Sequence, residues 1–282
     1  MKQEIIEGNV INSELKEERK YQHSMTEKET SELSLNTNLS CLFSPNWLND
    51  TVINDYLQLL KKENENVFMY SSFFYLTFHE KGFEGVRNYY RRSNVLSFKI
   101  IFIPIHKSNH WFLIMFNGKE LISYDPYNYP GAEGQRKEQL LKENTVFHEK
   151  ILLDLKDNYF KPLFKMHNKK LPNISLRVQI PPNVPEQNNS YDCGVFLLAF
   201  AKYLLFNRNF DFTNDDMIDI RNEIRQELMS SKINYQFRST QVKKTFKRRN
   251  EDLQHSVEIK APKLNNNPRC FQRTFLNRDN EG

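Results

Sequence analysis

A cysteine stands where a polar loop meets an apolar helix in the sequence Gln187-Asn188-Asn189-Ser190-Tyr191-Asp192-Cys193-Gly194-Val195-Phe196. A Pro-rich connector at 181–185 precedes this loop, and the apolar run 195–206 that follows it predicts a buried helix. Cys193 would therefore begin a helix, where free backbone N–H groups and the positive end of the helix dipole favour thiolate over thiol. Because a lone cysteine in this position is more often a small core residue, the rest of the chain must decide between the two readings.

The composition excludes several classes of function. The chain has 282 residues, 39% of them hydrophobic, which is enough to build a core, but only 8 Gly and no glycine-rich phosphate loop. The spacing of the three cysteines supports neither a disulfide framework nor a zinc site. We therefore expect no metal and no cofactor. Without a signal peptide or a membrane-spanning run, we expect an intracellular protein, in the nucleus or alternatively at the nuclear envelope or in the cytoplasm.

Charge and composition divide the chain into three parts. Residues 1–38 are polar and predict a disordered tail, whereas 39–231 carry the apolar patterns of a folded domain. Residues 232–282 contain 12 Lys or Arg against 5 Asp or Glu, and we expect a disordered basic tail there. Its cluster at 243–249 is typical of a solvated tail, with a nuclear import signal as the alternative. No basic groove interleaved with aromatics is present, so we do not expect nucleic acid as a partner.

The apolar patterns predict a sheet covered by helices on both faces. Two strands, His110–Phe116 and Glu120–Tyr124, are separated by the hairpin turn Asn117-Gly118, and the apolar run 97–105 precedes them. Residues 174–180 alternate and predict another strand. Helices are expected over 50–62, with Asn49 or Asp50 as the N-cap, over the charged segment 135–160, and over 215–228 after Thr213. The fold class is therefore α+β.

Four residues from distant parts of the chain could form a site for nucleophilic catalysis. A cysteine nucleophile needs a base, a group that orients the base, and a donor to the developing oxyanion. His110 begins one strand of the hairpin and Asp125 follows the end of the other, so antiparallel pairing would place them side by side. Cys193 would supply the nucleophile and the Gln187 amide the oxyanion donor. His106, four residues before His110, is a rival base.

At this point the motifs resemble a known family, the Ulp or sentrin-specific cysteine proteases that act on ubiquitin-like modifiers. The resemblance covers about residues 41–230. It rests on these matches: Trp47-Leu48-Asn49-Asp50 with Ile53-Asn54 and Tyr56; Ile103-Pro104-Ile105-His106 leading to His110-Trp111; Tyr124-Asp125; and Gln187 through Asp192-Cys193-Gly194. Each motif is weak by itself, and only the combination is specific.

The resemblance implies a papain-like α+β fold of the Ulp type, with a central mixed sheet flanked by helices. It assigns His110 as base, Asp125 as its partner, Cys193 as nucleophile and Gln187 as oxyanion donor. It also implies four substrate-binding residues. In the family, tryptophans at the positions of Trp47 and Trp111 line a narrow tunnel for the Gly-Gly tail of the modifier, and the residues at the positions of Asp50 and Asn189 are further contacts.

The same resemblance leaves the choice of modifier open. Ser190 occupies a position where the family loop commonly has Gly, which is similar to the deneddylating branch, whereas 47–56 is similar to the desumoylating branch. We predict a monomeric protease that cleaves after the C-terminal glycine of SUMO, in precursors, conjugates or both. A protease for the neddylation modifier or ubiquitin is the alternative, and a non-catalytic modifier-binding module is an alternative of another class.

Overall fold

A five-stranded mixed sheet forms the centre of the structure. The structure is a computed structural model that describes residues 39–91 and 94–237. The sheet order follows the chain: β1 Val67–Met69, β2 Ile100–Lys107, β3 His110–Phe116, β4 Glu120–Tyr124 and β5 Ser175–Gln179. The three central strands are antiparallel to one another, while each edge strand runs parallel to its neighbour. The predicted α+β class with a central mixed sheet is confirmed.

Seven α-helices hold about half of the remaining described chain. They are α1 Asp50–Lys61, α2 Phe73–Gly85, α3 Arg87–Tyr90, α4 Gly134–Asp154, α5 Lys161–Met166, α6 Cys193–Leu205 and α7 Met217–Ser230. A π-helical segment, Leu155–Phe160, joins α4 to α5, and short 3₁₀ turns cover Leu39–Leu42, Val95–Ser97 and Asn214–Asp216. In the described part of the chain, no helix is long and apolar enough to cross a membrane.

The side chains of β3 show why the central strands read as nearly continuous apolar sequence. Successive side chains of a strand point to opposite faces of the sheet. Leu113 and Met115 belong to the core cluster that includes α1, α6 and α7, while Phe112 and Ile114 belong to the cluster that includes α2 and α4. Both faces are therefore buried, as strands covered by helices on both sides require.

Several predicted elements are confirmed, with differences at their ends. Asn49 caps α1, because its side chain accepts a hydrogen bond of 2.9 Å from the Val52 amide. The strand predicted over 97–105 begins later, at Ile100, since Val95–Ser97 forms a 3₁₀ turn. The predicted charged helix 135–160 begins at Gly134, and helical structure continues through the π segment and α5 to Met166. Apolar residues such as Leu155 and Leu163, buried in the core, explain this continuation.

The chain stays packed beyond the domain end predicted at 231. Ile233 is buried, and the Phe237 ring lies 5.1 Å from the Tyr203 ring, in an edge-to-face contact. These contacts extend the packed part of the chain by at least six residues, to Phe237. The predicted tail 1–38, the rest of the predicted basic tail and its cluster 243–249 lie outside the described residues.

Candidate active site

Cys193 is the first residue of α6, as the sequence predicts. Asp192 occupies the N-cap position, and the Cys193 side chain is buried. The N–H groups of the first helical turn have no acceptor within the helix, so they remain as donors beside the sulfur. A reacting carbonyl at this sulfur would therefore meet backbone donors at the positive end of the α6 dipole.

The polar side chain of Asn189 shapes the loop before the cysteine. Its Oδ1 accepts hydrogen bonds from the Tyr191 and Asp192 amides at 3.1 and 3.0 Å, and its Nδ2 donates to Asp192 Oδ2 at 2.7 Å. Asn189 was predicted as a substrate contact. That role stays a prediction; in the structure its side chain bonds to the loop itself, an Asx-type turn that fixes the approach to α6.

A buried arginine on α7, Arg221, holds this loop from behind. Its Nε donates to Asp192 Oδ1 at 2.8 Å, and its Nη2 donates to the carbonyls of Tyr191 and Asn46 at 3.1 and 2.8 Å. Its Nη1 donates to the Cys41 carbonyl at 3.0 Å. The guanidinium thus ties the cysteine loop to the segment that precedes Trp47, and the resemblance had assigned it no role.

The start of α6 also packs directly against that segment. A side chain at Gly194 would bring its Cβ within 2.9 Å of Leu48 Cβ, so only glycine permits this approach. From the sheet side, Trp111 Nε1 donates to the Leu48 carbonyl at 3.2 Å. Leu48 is therefore fixed both by the cysteine helix and by the indole of a predicted tunnel residue.

The two predicted tunnel tryptophans occupy different environments. Trp47 is 45% exposed, whereas Trp111 is only 5% exposed. The Trp111 ring lies 4.4 Å from the His106 ring and bonds to Leu48 as described above. Trp47 therefore offers the larger surface to a substrate, whereas Trp111 is bonded to the backbone of the next residue, Leu48. Asp50, the first residue of α1, is exposed and contributes to the electrostatic field at His106.

His110 and Asp125 are adjacent, as the hairpin geometry predicts. The β3–β4 ladder pairs Leu113 with Tyr124, which brings the start of β3 to the end of β4. His110 Nε2 lies 2.7 Å from Asp125 Oδ1. Since the carboxylate can only accept, Nε2 carries a hydrogen, which leaves Nδ1 as the nitrogen that can accept the Cys193 proton; Cys193 is near enough to help raise the pKa of His110.

Electrostatics favour the protonated form of His110. Burial lowers the pKa of His110, but the Asp125 carboxylate, with help from Cys193, outweighs burial and raises it to about 10. Burial would raise the pKa of Asp125, but His110 and His148 hold it well below its ordinary value. A charged carboxylate therefore faces an imidazole that holds its proton firmly.

The rival base His106 does not join this cluster. His106 is exposed and pairs across the hairpin with Trp111. Among the described residues, the histidines that bond to the Asp125 carboxylate are His110 and His148, and His106 lies away from it. Burial lowers the pKa of His106. Of the two histidines, His110 is the one that lies beside both the Asp125 carboxylate and the Cys193 thiol.

Gln187 begins the loop that leads to the cysteine, and its backbone is joined to the loop after β4. Its amide N–H donates to the Pro126 carbonyl at 2.7 Å, and its side-chain Nε2 donates to the Asn189 carbonyl at 2.8 Å. One hydrogen of that side-chain NH₂ group remains for a further acceptor. The carboxamide is buried, and its orientation is set before any substrate arrives.

Two residues that bond to Asp125 from the far side, Asn144 and His148, were not predicted. Oδ2 accepts from His148 Nε2 at 2.9 Å and from Asn144 Nδ2 at 3.0 Å, both on α4. A signal was present, because the two polar residues lie four apart on the same buried face as Ile151 and Leu152. Polar residues at apolar positions of an amphipathic helix indicate a buried polar contact.

Comparison with known proteins agrees with this geometry. Residues 46–233 match the Ulp1 protease family, C-terminal catalytic domain. The chain is 30% identical over 205 residues to sentrin-specific protease 3 of Mus musculus, an alignment covering 69% of this chain and 32% of that protein. A sentrin-specific protease of Caenorhabditis elegans is 27% identical over 203 residues, covering 69% of this chain and 27% of that protein. The chain thus spans about a third or less of the length of these curated relatives.

Solved structures show the same fold. The C-terminal Ulp1 protease domain in complex with Smt3, the yeast ortholog of SUMO, superposes with a TM-score of 0.57 at 24% identity, covering 69% of this chain and 82% of that one. A form of the SUMO protease Ulp1 with its catalytic cysteine oxidised to a sulfenic acid gives a TM-score of 0.56 at 23% identity, covering 73% and 96%.

Proposed function

This chain belongs to the Ulp1 protease family, and we propose that it hydrolyses the bond after the C-terminal glycine of a ubiquitin-like modifier, with SUMO as the expected modifier. The observation that carries the proposal is the position of His110, between the Asp125 carboxylate and the Cys193 thiol. The proposed substrates include both modifier precursors and isopeptide conjugates.

In the proposed reaction, the Cys193 thiol gives its proton to His110 Nδ1 and the thiolate attacks the glycine carbonyl. Because Asp125 raises the pKa of His110 to about 10, the imidazolium is retained at neutral pH until the leaving amine takes its proton. The amine departs, leaving a thioester on Cys193. Water, deprotonated by His110, then attacks the thioester and releases the modifier with a free carboxylate.

Gln187 and the first turn of α6 are the proposed oxyanion site. The free N–H of the Gln187 carboxamide and the backbone N–H groups at Cys193 are donors set before the reaction, so they need little reorganisation as charge develops on the glycine oxygen. Trp47 is the proposed wall over the Gly-Gly tail, because a flat aromatic surface admits glycine and excludes side chains. Asp50 is a proposed contact for a basic surface of the modifier.

The choice of SUMO is supported by the similar proteins. Those reported above are named sentrin-specific proteases, and one similar structure is a complex with the yeast ortholog of SUMO. The basic excess in residues 232–282, with 12 Lys or Arg against 5 Asp or Glu, supports the proposal that the protein acts in the nucleus.

A side-by-side reaction with C-terminal electrophile probes tests the proposal. Probes built on SUMO, ubiquitin and the neddylation modifier are incubated with the full chain, and adducts are read as a mass increase. We expect a SUMO adduct that forms fastest and is absent from Cys193→Ala, while that variant still binds SUMO. Faster reaction with either other probe would reassign the modifier, and binding without any adduct would indicate a non-catalytic module.

A further inference from the structure

The Asp125 carboxylate accepts more hydrogen bonds than its role as partner of one histidine requires. Oδ1 accepts from His110 Nε2 at 2.7 Å and from the Tyr127 amide at 3.0 Å. Oδ2 accepts from Asn144 Nδ2 at 3.0 Å and from His148 Nε2 at 2.9 Å. Four donors leave both oxygens fully engaged, so the carboxylate plane has one orientation.

His148 is the least expected of these donors. Its imidazole is fully buried, with 0% of the side chain exposed, so its nitrogens must find partners within the protein. Nε2 must carry a hydrogen, since Asp125 Oδ2 can only accept. Nδ1 lies 2.8 Å from the hydroxyl of Ser123, which is buried on β4 and can donate to it. A neutral imidazole therefore satisfies both contacts and bridges the sheet to Asp125.

We propose that His148 is a positioning residue for the reaction: it fixes the rotation of the Asp125 carboxylate, so that Oδ1 faces His110 and His110 keeps its hydrogen on Nε2. The kinetic part of this inference rests on the proposed function. The structural part of the inference does not, because the tautomer of the neutral His110 ring can be measured in the protein without substrate, at a pH above its pKa of about 10.

The tautomer matters because the two nitrogens of His110 have different tasks. With the hydrogen on Nε2, Nδ1 is free to accept the proton of Cys193. If Oδ2 loses the His148 donor, Asn144 alone holds it, and the carboxylate can rotate away from its present plane. Oδ1 then loses its alignment with Nε2, and the preference of His110 for the Nε2–H form weakens.

Two substitutions of His148 separate its hydrogen bond from its volume. His148→Phe keeps a flat ring of similar size but removes both nitrogens, and we expect kcat to fall about 10- to 100-fold, as for other small misplacements of reacting groups, with KM unchanged. His148→Gln keeps an N–H that can reach Asp125, and we expect it to restore most of the lost kcat. Leu152→Ala is the control, since this fully buried residue on the same helix makes no hydrogen bond to Asp125. It should lower Tm while leaving kcat unchanged.

The deciding measurement is the ¹⁵N NMR spectrum of the His110 ring in the full chain without substrate, recorded above pH 10, where the ring is neutral and has a defined tautomer. We expect a single Nε2–H tautomer in the wild type and in Leu152→Ala, and a mixture with the Nδ1–H form in His148→Phe. If His148→Phe does not fold, Ser123→Ala replaces it. Loss of the Ser123 hydroxyl frees His148 Nδ1 from its partner, and we expect the His110 tautomers to become mixed, as in His148→Phe.

An unchanged tautomer in the folded variant, or an equal loss of kcat in Leu152→Ala, would overturn the proposal. A wild-type protein that reacts with no modifier probe would instead refute the proposed function, and the NMR result would still decide whether His148 positions Asp125.

Discussion

The histidine half and the cysteine half of this active site are held in place by different kinds of contact. The histidine half consists of His110, Asp125 and the two α4 residues that donate to Asp125. The three partners of Asp125 lie 15 to 23 residues from it in sequence. The cysteine half consists of Cys193, the loop before it and Arg221. Arg221 reaches the Cys41 and Asn46 carbonyls across 180 and 175 residues.

The two halves also differ in charge. In the histidine half, the Asp125 carboxylate accepts hydrogen bonds from three neutral donors, the Tyr127 amide and the Asn144 and His148 side chains, and from His110. In the cysteine half, a guanidinium that is 1% exposed pairs with the buried Asp192 carboxylate at 2.7 Å. A buried pair is costly to break because the remaining charge stays unpaired. We therefore expect substitutions among the contacts of Asp125 to act mainly on reactivity, and substitution of Arg221 to act mainly on stability.

The largest expected effect is on activity, from Asp125→Asn in the histidine half. If the new amide turns its NH₂ toward His110, Nε2 must accept and the hydrogen moves to Nδ1, the nitrogen that should receive the Cys193 proton. If it turns its oxygen there, its NH₂ meets the donors of Asn144 and His148. We expect kcat to fall about 10⁴-fold with KM little changed, measured with a fluorogenic modifier substrate.

The control for Asp125→Asn is its free energy of unfolding in urea. We expect a loss of about 1 to 3 kcal/mol, the cost of an unsatisfied buried donor, which leaves the protein folded during the assay. If activity returned in full once the unfolded fraction was accounted for, Asp125 would be a structural residue only.

The second effect is on stability, from Arg221→Met in the cysteine half. The substitution keeps most of the side-chain volume but leaves Asp192 buried without its cation, so we expect the free energy of unfolding to fall by about 3 to 5 kcal/mol. Urea unfolding monitored by tryptophan fluorescence measures it.

Arg225→Met is the matched control, because this arginine lies one turn further along α7. Its guanidinium lies 5.2 Å from the centre of the Phe43 ring, a contact worth about 1 kcal/mol. Equal losses in the two variants would show that the Asp192 pair has no special weight.

The smallest effect is a pH dependence that only the histidine half should show. The pKa of His110 is raised from 6.5 to about 10 in the folded protein. The resulting stabilisation is complete at pH values below the pKa of His110 in the unfolded state, and it is lost as the pH rises through the pKa of the folded state. We expect the free energy of unfolding to fall between about pH 6.5 and 10, by on the order of 2 kcal/mol because the ring is partly exposed.

Urea unfolding across this pH range, compared between variants, separates the halves. Asp125→Asn should flatten the slope, since the carboxylate that raises the pKa of His110 is gone, while Arg221→Met should shift the whole curve down without changing its slope. A wild-type curve that is flat from neutral to alkaline pH would contradict the assignment of a raised pKa to His110. The lowered pKa of Asp125 acts only at acid pH, outside this range.

Local patterns in the sequence were enough to predict the parts of the site that neighbouring residues determine. The Asn117-Gly118 turn places His110 beside Asp125, and the polar-to-apolar change at Cys193 starts α6. Each of these depends on contacts within about fifteen residues, or on a helix boundary that backbone chemistry marks directly.

The parts that could not be predicted depend on packing between distant segments. Arg221 has the pattern of one more charged residue on an amphipathic helix, because two of its acceptors, the Cys41 and Asn46 carbonyls, lie near the other end of the domain sequence. His148 lies in a charged helix that the resemblance did not explain, and the burial of Trp111 depends on its contacts with His106 and with the Leu48 carbonyl. A one-dimensional pattern cannot show which charged or polar residue meets another after such packing.

The close packing at Gly194 joins the helix that carries Cys193 to the segment that carries Trp47. Because Gly194 has no side chain, the cysteine helix rests directly on Leu48, next to the exposed Trp47. Displacing the Trp47 wall outward would therefore pull on the backbone that holds the sulfur. Under the proposed function, a side chain on the modifier tail that displaced Trp47 would therefore also displace Cys193.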